Sequence, residues 1–198
     1  MSTEPLYTDM QLSAIQEIAN IGTGNAATAL AQMIGASVDI DPPQAEFVPL
    51  ELASERLGAV ETPVVAVLTP VVGDAPASIL LAFPFDAAAS LCGLLGTDAL
   101  SDMGRSALQE IGNILTASYL TAISSFTGLS VEPAPPLLAV DMLGAVVDGV
   151  LAMAVVDADR VLFLKTAIRI EDAYCDFGFL FVPERESVAK LLSALGLL

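Results

Sequence analysis

The chain has 198 residues, 55% of them apolar, which is ample for a buried core and suits one large domain or two small ones. Its 24 acidic residues against 7 basic ones give a formal charge of -17, which argues against nucleic acid and anionic membranes as partners. The absence of histidine removes Ser-His-Asp and Cys-His catalysis in their usual forms, together with histidine zinc sites.

Taken in order, Met1 to Asp9 is polar and lacks the basic start and apolar run of an export signal, so a cytoplasmic protein is expected. Thr8-Asp9 offers an N-cap, and Leu12, Ile15, Ala19, Gly22, Ala26, Leu30 and Met33 recur at helical steps up to a stop at Gly35. At about 100° per residue, Ile15, Ala19, Gly22, Ala26 and Met33 share a core face, while Ser13, Glu17 and Asn20 gather on the opposite side. Gly24 and Ala31 keep that outer face low enough for a surface to dock against it. Gly22 to Ala27 resembles a phosphate-cradling glycine loop in composition, but such a loop follows a strand and opens a helix. Here it interrupts a helix already running, so close helix packing is expected.

Ser37 to Ile40 reads as a short strand stopped by Pro42-Pro43, and Leu50 to Leu57 as a short helix. Thr62 to Val72 and Ala77 to Phe85 read as an antiparallel strand pair joined by Gly73-Asp74-Ala75-Pro76, with Asp86 capping a helix over Ala87 to Leu95. After a cap at Ser101-Asp102 come a helix to Thr127, a strand Leu129 to Val131 and a helix Asp141 to Met153. Strands Arg160 to Ile170 and Cys175 to Val182 and a helix Glu184 to Leu195 complete the chain. The apolar run Leu137 to Val156 is interrupted by Asp141 and Asp148, each costing about 2.5 to 3.5 kcal/mol at a bilayer centre, so it reads as buried helix or strand. Cys92 and Cys175 lie outside any Cys-x-x-Cys context and read as core residues.

The dominant feature is a repeat. Ser13-Ala14-Ile15-Gln16-Glu17-Ile18-Ala19-Asn20 returns 93 positions later as Ser106-Ala107-Leu108-Gln109-Glu110-Ile111-Gly112-Asn113, and Pro42-Pro43 returns as Pro135-Pro136 without a gap. Two copies are too few for a solenoid. The expectation is one α/β domain of α+β type over 1–198, made of halves 8–96 and 101–198 about a pseudo-two-fold axis. It would hold a six-stranded, largely antiparallel sheet with the paired long motif helices on an outer face.

Ser13, Glu17, Asn20 and Pro43, and again Ser106, Glu110, Asn113 and Pro136, match the (Asp/Ser)-x3-Glu-x2-Asn-x22-Pro signature of the CheC/CheX/FliY family of chemotaxis phosphatases. The chain resembles that family over nearly its whole length. With two motifs and an end at Leu198 it resembles the CheC type, since CheX carries one motif and FliY adds a flagellar-switch domain. The resemblance implies hydrolysis of the aspartyl phosphate of the response regulator CheY, and a second partner, the receptor deamidase CheD. It implies catalytic roles for Glu17, Asn20, Glu110 and Asn113: the asparagine amide orients the attacking water and the glutamate pairs with the regulator's active-site lysine. Ser13, Ser106, Pro43 and Pro136 are supporting positions. This chain is expected to bind no metal or cofactor, the Mg²⁺ belonging to CheY, and two motifs in one chain are compatible with a monomer. The alternative from another class is a non-enzymatic adaptor that binds CheD or phospho-CheY. So acidic a composition with two lysines also suggests a salt-loving source, where self-repulsion is screened.

Overall fold

Local chemistry accounts for how the first helix begins and ends. In the computed structural model, which describes residues 7–153, 160–170, 173–184 and 186–198, helix α1 (Asp9–Ile34) is capped by Thr8. The Thr8 hydroxyl accepts from the Gln11 backbone N–H at 3.3 Å, and Gln11 Oε1 accepts from the Thr8 N–H at 2.8 Å, a reciprocal capping box. Gly35 closes the helix with φ 74° and donates its N–H to Ala31 O, a turn that glycine alone adopts without strain. The chain continues through β1 (Val38–Ile40), β2 (Gln44–Pro49), a 3-10 turn (Leu50–Leu52), α2 (Ala53–Leu57), β3 (Pro63–Gly73), β4 (Ala77–Pro84) and α3 (Phe85–Leu94). Then come α4 (Asp102–Thr127), β5 (Val131–Pro133), β6 (Leu137–Met142), α5 (Leu143–Met153), β7 (Arg160–Ile170), β8 (Ala173–Pro183) and α6 (Ser187–Ala194).

Every strand pair is antiparallel, and the strands join one sheet in the order β1-β7-β8-β4-β3-β5, with β2 also on β7 and β6 also on β3. Among the described residues the sheet therefore has eight strands, not six. The two additional ones, β2 and β6, each begin directly after a Pro-Pro pair that the sequence presents as a stop. Asp141, expected to open a helix, lies in β6, and α5 starts two residues later at Leu143. The helix expected from Glu184 starts at Ser187, whose hydroxyl donates to Pro76 O at 2.6 Å.

The pairing is reciprocal: the short strands after α1 complete the edge beside β7, and those after α4 complete the edge beside β3. Helices α1, α3 and α4 cover one face, where Leu30, Leu108, Ile111, Leu115 and Tyr119 meet Val65, Val67, Ile79, Leu81 and Phe179. Helices α2 and α5 cover the other, where Ala53, Leu143, Val147 and Val150 meet Val64, Ala66, Leu80 and Phe163. Each fully buried large apolar side chain here contributes about 1.5 to 3 kcal/mol.

The apolar run from Leu137 divides into β6 and α5, with Asp141 and Asp148 exposed; its last residues lie outside the described ones. Among the described residues no helix is long and apolar enough to cross a membrane. Cys92 and Cys175 are both buried and free. Burial pushes the Cys175 thiol up to about 12, helped by neighbouring Asp176, and burial with nearby Asp98 raises that of Cys92, so neither forms a reactive thiolate near neutrality.

Candidate functional site

Ser13, Glu17 and Asn20 are exposed on α1, as are Ser106 and Glu110 on α4, while Asn113 is half-buried. The helices turn these residues outward because the opposite stripes are buried: Ile18, Ala19, Gly22, Thr23, Ala26 and Leu30 on α1, and Leu108, Ile111, Gly112, Leu115, Thr116 and Tyr119 among those on α4. Met33, expected in the core, is instead 36% exposed. The buried stripe is drawn toward Thr23 because α1 crosses α4 at that point.

The crossing depends on one glycine. A Cβ at Gly22 would come within 2.6 Å of Tyr119 Cδ1 and 3.0 Å of Tyr119 Cα, so only a residue without a side chain lets the helices approach this closely. Thr23 donates its hydroxyl proton to Ala19 O at 2.9 Å, so the 2.9 Å contact with Tyr119 has the tyrosine as donor. Burial raises the Tyr119 pKa, which keeps the phenol neutral and able to donate. The expectation that Gly22 serves helix packing holds; Gly24, with nothing within 4 Å of its virtual Cβ, lies open on the outer face.

The motif prolines lie in matching bulges. Three residues, Asp41, Pro42 and Pro43, separate the ends of β1 and β2, whereas two, Thr166 and Ala167, separate their partners on β7. At the other edge, Ala134, Pro135 and Pro136 stand opposite Thr69 and Pro70 of β3. Proline lacks the N–H that a ladder needs, and an extra residue on an edge strand arches the backbone away from the sheet.

A glutamine from the motif helix holds each arch. Gln16 Nε2 donates to Pro43 O and Gln16 Oε1 accepts from Ala45 N–H at 2.9 Å. Gln109 Nε2 donates to Pro136 O at 3.1 Å. These glutamines went unassigned in the sequence, although their identical place in both octads was the signal for them. They give the motif proline a physical role: its carbonyl anchors the loop beside the Glu-Asn face.

The two surroundings differ in detail. At the first bulge Thr166 Oγ1 donates to Asp41 O at 2.6 Å and Arg169 pairs with the Asp41 carboxylate. Opposite the second, Thr69 buries a hydroxyl, and within α4 Thr116 buries another; neither finds a partner among the described residues. The Thr116 case follows from the repeat: Thr23 meets Tyr119, but the position matching Tyr119 in the first copy is Ala26. An unpaired buried hydroxyl costs about 1 to 3 kcal/mol.

Chemically, each face offers an exposed carboxylate and an amide one helical turn apart. Among the described residues no cluster of three or more Cys, Asp or Glu side chains is arranged to hold a metal ion. The pattern of the CheC-like family matches residues 10–46 and 103–138, the two segments that carry these faces. Over 197 residues, 94% of each chain, the protein is 30% identical to the CheY-P phosphatase CheC of Bacillus subtilis. The chain belongs to the CheC-like family. A further family relative, the flagellar motor switch phosphatase FliY of Bacillus subtilis, is 30% identical over 135 residues, 65% of this chain and 35% of that one. The CheC-like fold is also that of Thermotoga maritima FliY, whose crystal structure superimposes with a TM-score of 0.77 at 18% identity, over 97% of this chain and 98% of that one.

Proposed function

We propose that the protein hydrolyses the aspartyl phosphate of the response regulator CheY, with Glu17 and Asn20 on α1 and Glu110 and Asn113 on α4 forming two docking and catalytic faces. What carries this reading is the outward Glu-Asn pair, present twice, in a chain similar along nearly its full length to a CheY-P phosphatase.

An acyl phosphate needs little covalent chemistry from its phosphatase. Water oxygen attacks phosphorus in line, the bond from phosphorus to the aspartyl oxygen breaks, and the regulator's carboxylate leaves; the water's proton departs with inorganic phosphate. The asparagine amide can accept from the water and donate to an oxygen beside it, so its contribution is orientation. The glutamate pairs with a regulator lysine and fixes the docked register. Ser13 and Ser106 support the helix face, and Pro43 and Pro136 the adjoining loop. The Mg²⁺ of the reaction is assigned to the regulator's own carboxylates, and CheD is a second partner on the strength of the family resemblance.

A protein of charge -17 approaching an acidic regulator face meets repulsion that dilute buffer barely screens, the Debye length being about 30 Å at 0.01 M and about 3 Å at 1 M. The rate of phospho-CheY decay in the presence of the protein and Mg²⁺ is therefore expected to rise as KCl is added. A steady fall from the lowest salt would contradict this account of docking.

A further inference from the structure

We propose that Gln16 fixes the orientation of the Asn20 amide, turning its N–H donors outward, and that Gln109 leaves Asn113 without this constraint. A backbone N–H can only donate, so the side-chain atom that meets Ala45 N at 2.9 Å is Gln16 Oε1. The two hydrogens of Gln16 Nε2 are then directed at Pro43 O, which can only accept, and at Asn20, 3.2 Å away. A hydrogen pointing at Asn20 requires an acceptor there. Asn20 Oδ1 consequently faces Gln16, and Nδ2, with both its hydrogens, faces away from it.

Every hydrogen-bonding group on Gln16 is thus engaged, and the chain of bonds from Ala45 through Gln16 to Asn20 has one self-consistent arrangement. An isolated exposed amide rotates freely and presents either edge; a held one offers a donor edge at a fixed place and keeps a second carbonyl lone pair for a water proton. At the second site Gln109 Nε2 reaches Pro136 O, and among the described residues Asn113 makes no side-chain hydrogen bond. Gln16 is therefore a positioning residue for the first site, and Gln109 anchors only the loop.

Side-chain amide hydrogen exchange followed by NMR in the wild-type protein tests the orientation by itself: the Gln16 amide protons are expected to exchange slowly and those of Asn20 fast. Slow exchange at Asn20 with fast exchange at Gln16 would overturn it. The functional consequence rests on the phosphatase reading, and Gln16→Glu in an Asn113→Ala background isolates it. A carboxylate keeps the acceptor for Ala45 but removes both donors, so Asn20 turns its N–H edge inward. Turnover by the first site is expected to fall about tenfold with unchanged affinity for beryllofluoride-loaded CheY, whereas Gln109→Glu in an Asn20→Ala background changes turnover by less than about twofold. Equal effects of the two substitutions would overturn the asymmetry. If Asn113→Ala alone has no turnover, the phosphatase reading fails for the first site, and the exchange measurement still decides the orientation.

Discussion

Replacing Asn20 and Asn113 together by alanine is expected to return phospho-CheY decay to its spontaneous rate, a loss of about a hundredfold in accelerated turnover, while each single substitution leaves one working face. The size follows from what the amide is asked to do. Removing one well-placed polar group from a site that stabilises the transition state costs about 10² to 10³ in rate, and the sequence has no histidine to take over the positioning of the water. Glu17 and Glu110 remain, so docking persists and the deficit falls on kcat rather than on KM. Stability supplies the control. Asn20 is exposed and Asn113 half-buried, and surface substitutions of this kind stay within about 0.5 kcal/mol. A double variant that folds normally and still accelerates decay would assign the chemistry to other groups.

Gly22→Leu is expected to destabilise the protein by about 3 kcal/mol or more, whereas Gly24→Ala, one half-turn away on the same helix, is expected to stabilise it by up to about 1 kcal/mol. The two glycines have the same intrinsic helix penalty, about 1 kcal/mol relative to alanine. Only their surroundings differ. At Gly22 the first added atom already meets the Tyr119 ring and backbone, and inserting more atoms forces α1 and α4 apart, breaking the bond between Thr23 and Tyr119. At Gly24 there is nothing to meet. Denaturant unfolding of both variants decides the matter. If Gly22→Leu were neutral, the helices would not pack as described.

Much of this was readable from residues, and the exceptions have physical causes. The two motif helices announced themselves through closely matching octads, caps at Thr8 and Ser101 and a stop at Gly35. The long β3–β4 pair followed from turn chemistry at Gly73 to Pro76. Strands β2 and β6 did not, because Pro42-Pro43 and Pro135-Pro136 mark a break in any local reading, and only the partner strands reveal that pairing resumes beyond it. The apolar run from Leu137 has no periodicity that divides a strand from a helix. Met33 was placed in the core by the helical wheel alone, which carries no knowledge that Tyr119 sets the line of contact. The role of Gln16 and Gln109 was hidden for a similar reason: each bonds a carbonyl 27 residues further along the chain.

The most direct test of the proposed activity is turnover. With CheY-aspartyl phosphate in excess over the protein, in Mg²⁺ and high salt, the release of inorganic phosphate should run far ahead of spontaneous decay and exceed many equivalents per chain. Phosphate release indistinguishable from that of CheY alone would contradict a catalytic role and leave the Glu-Asn faces as binding surfaces of an adaptor.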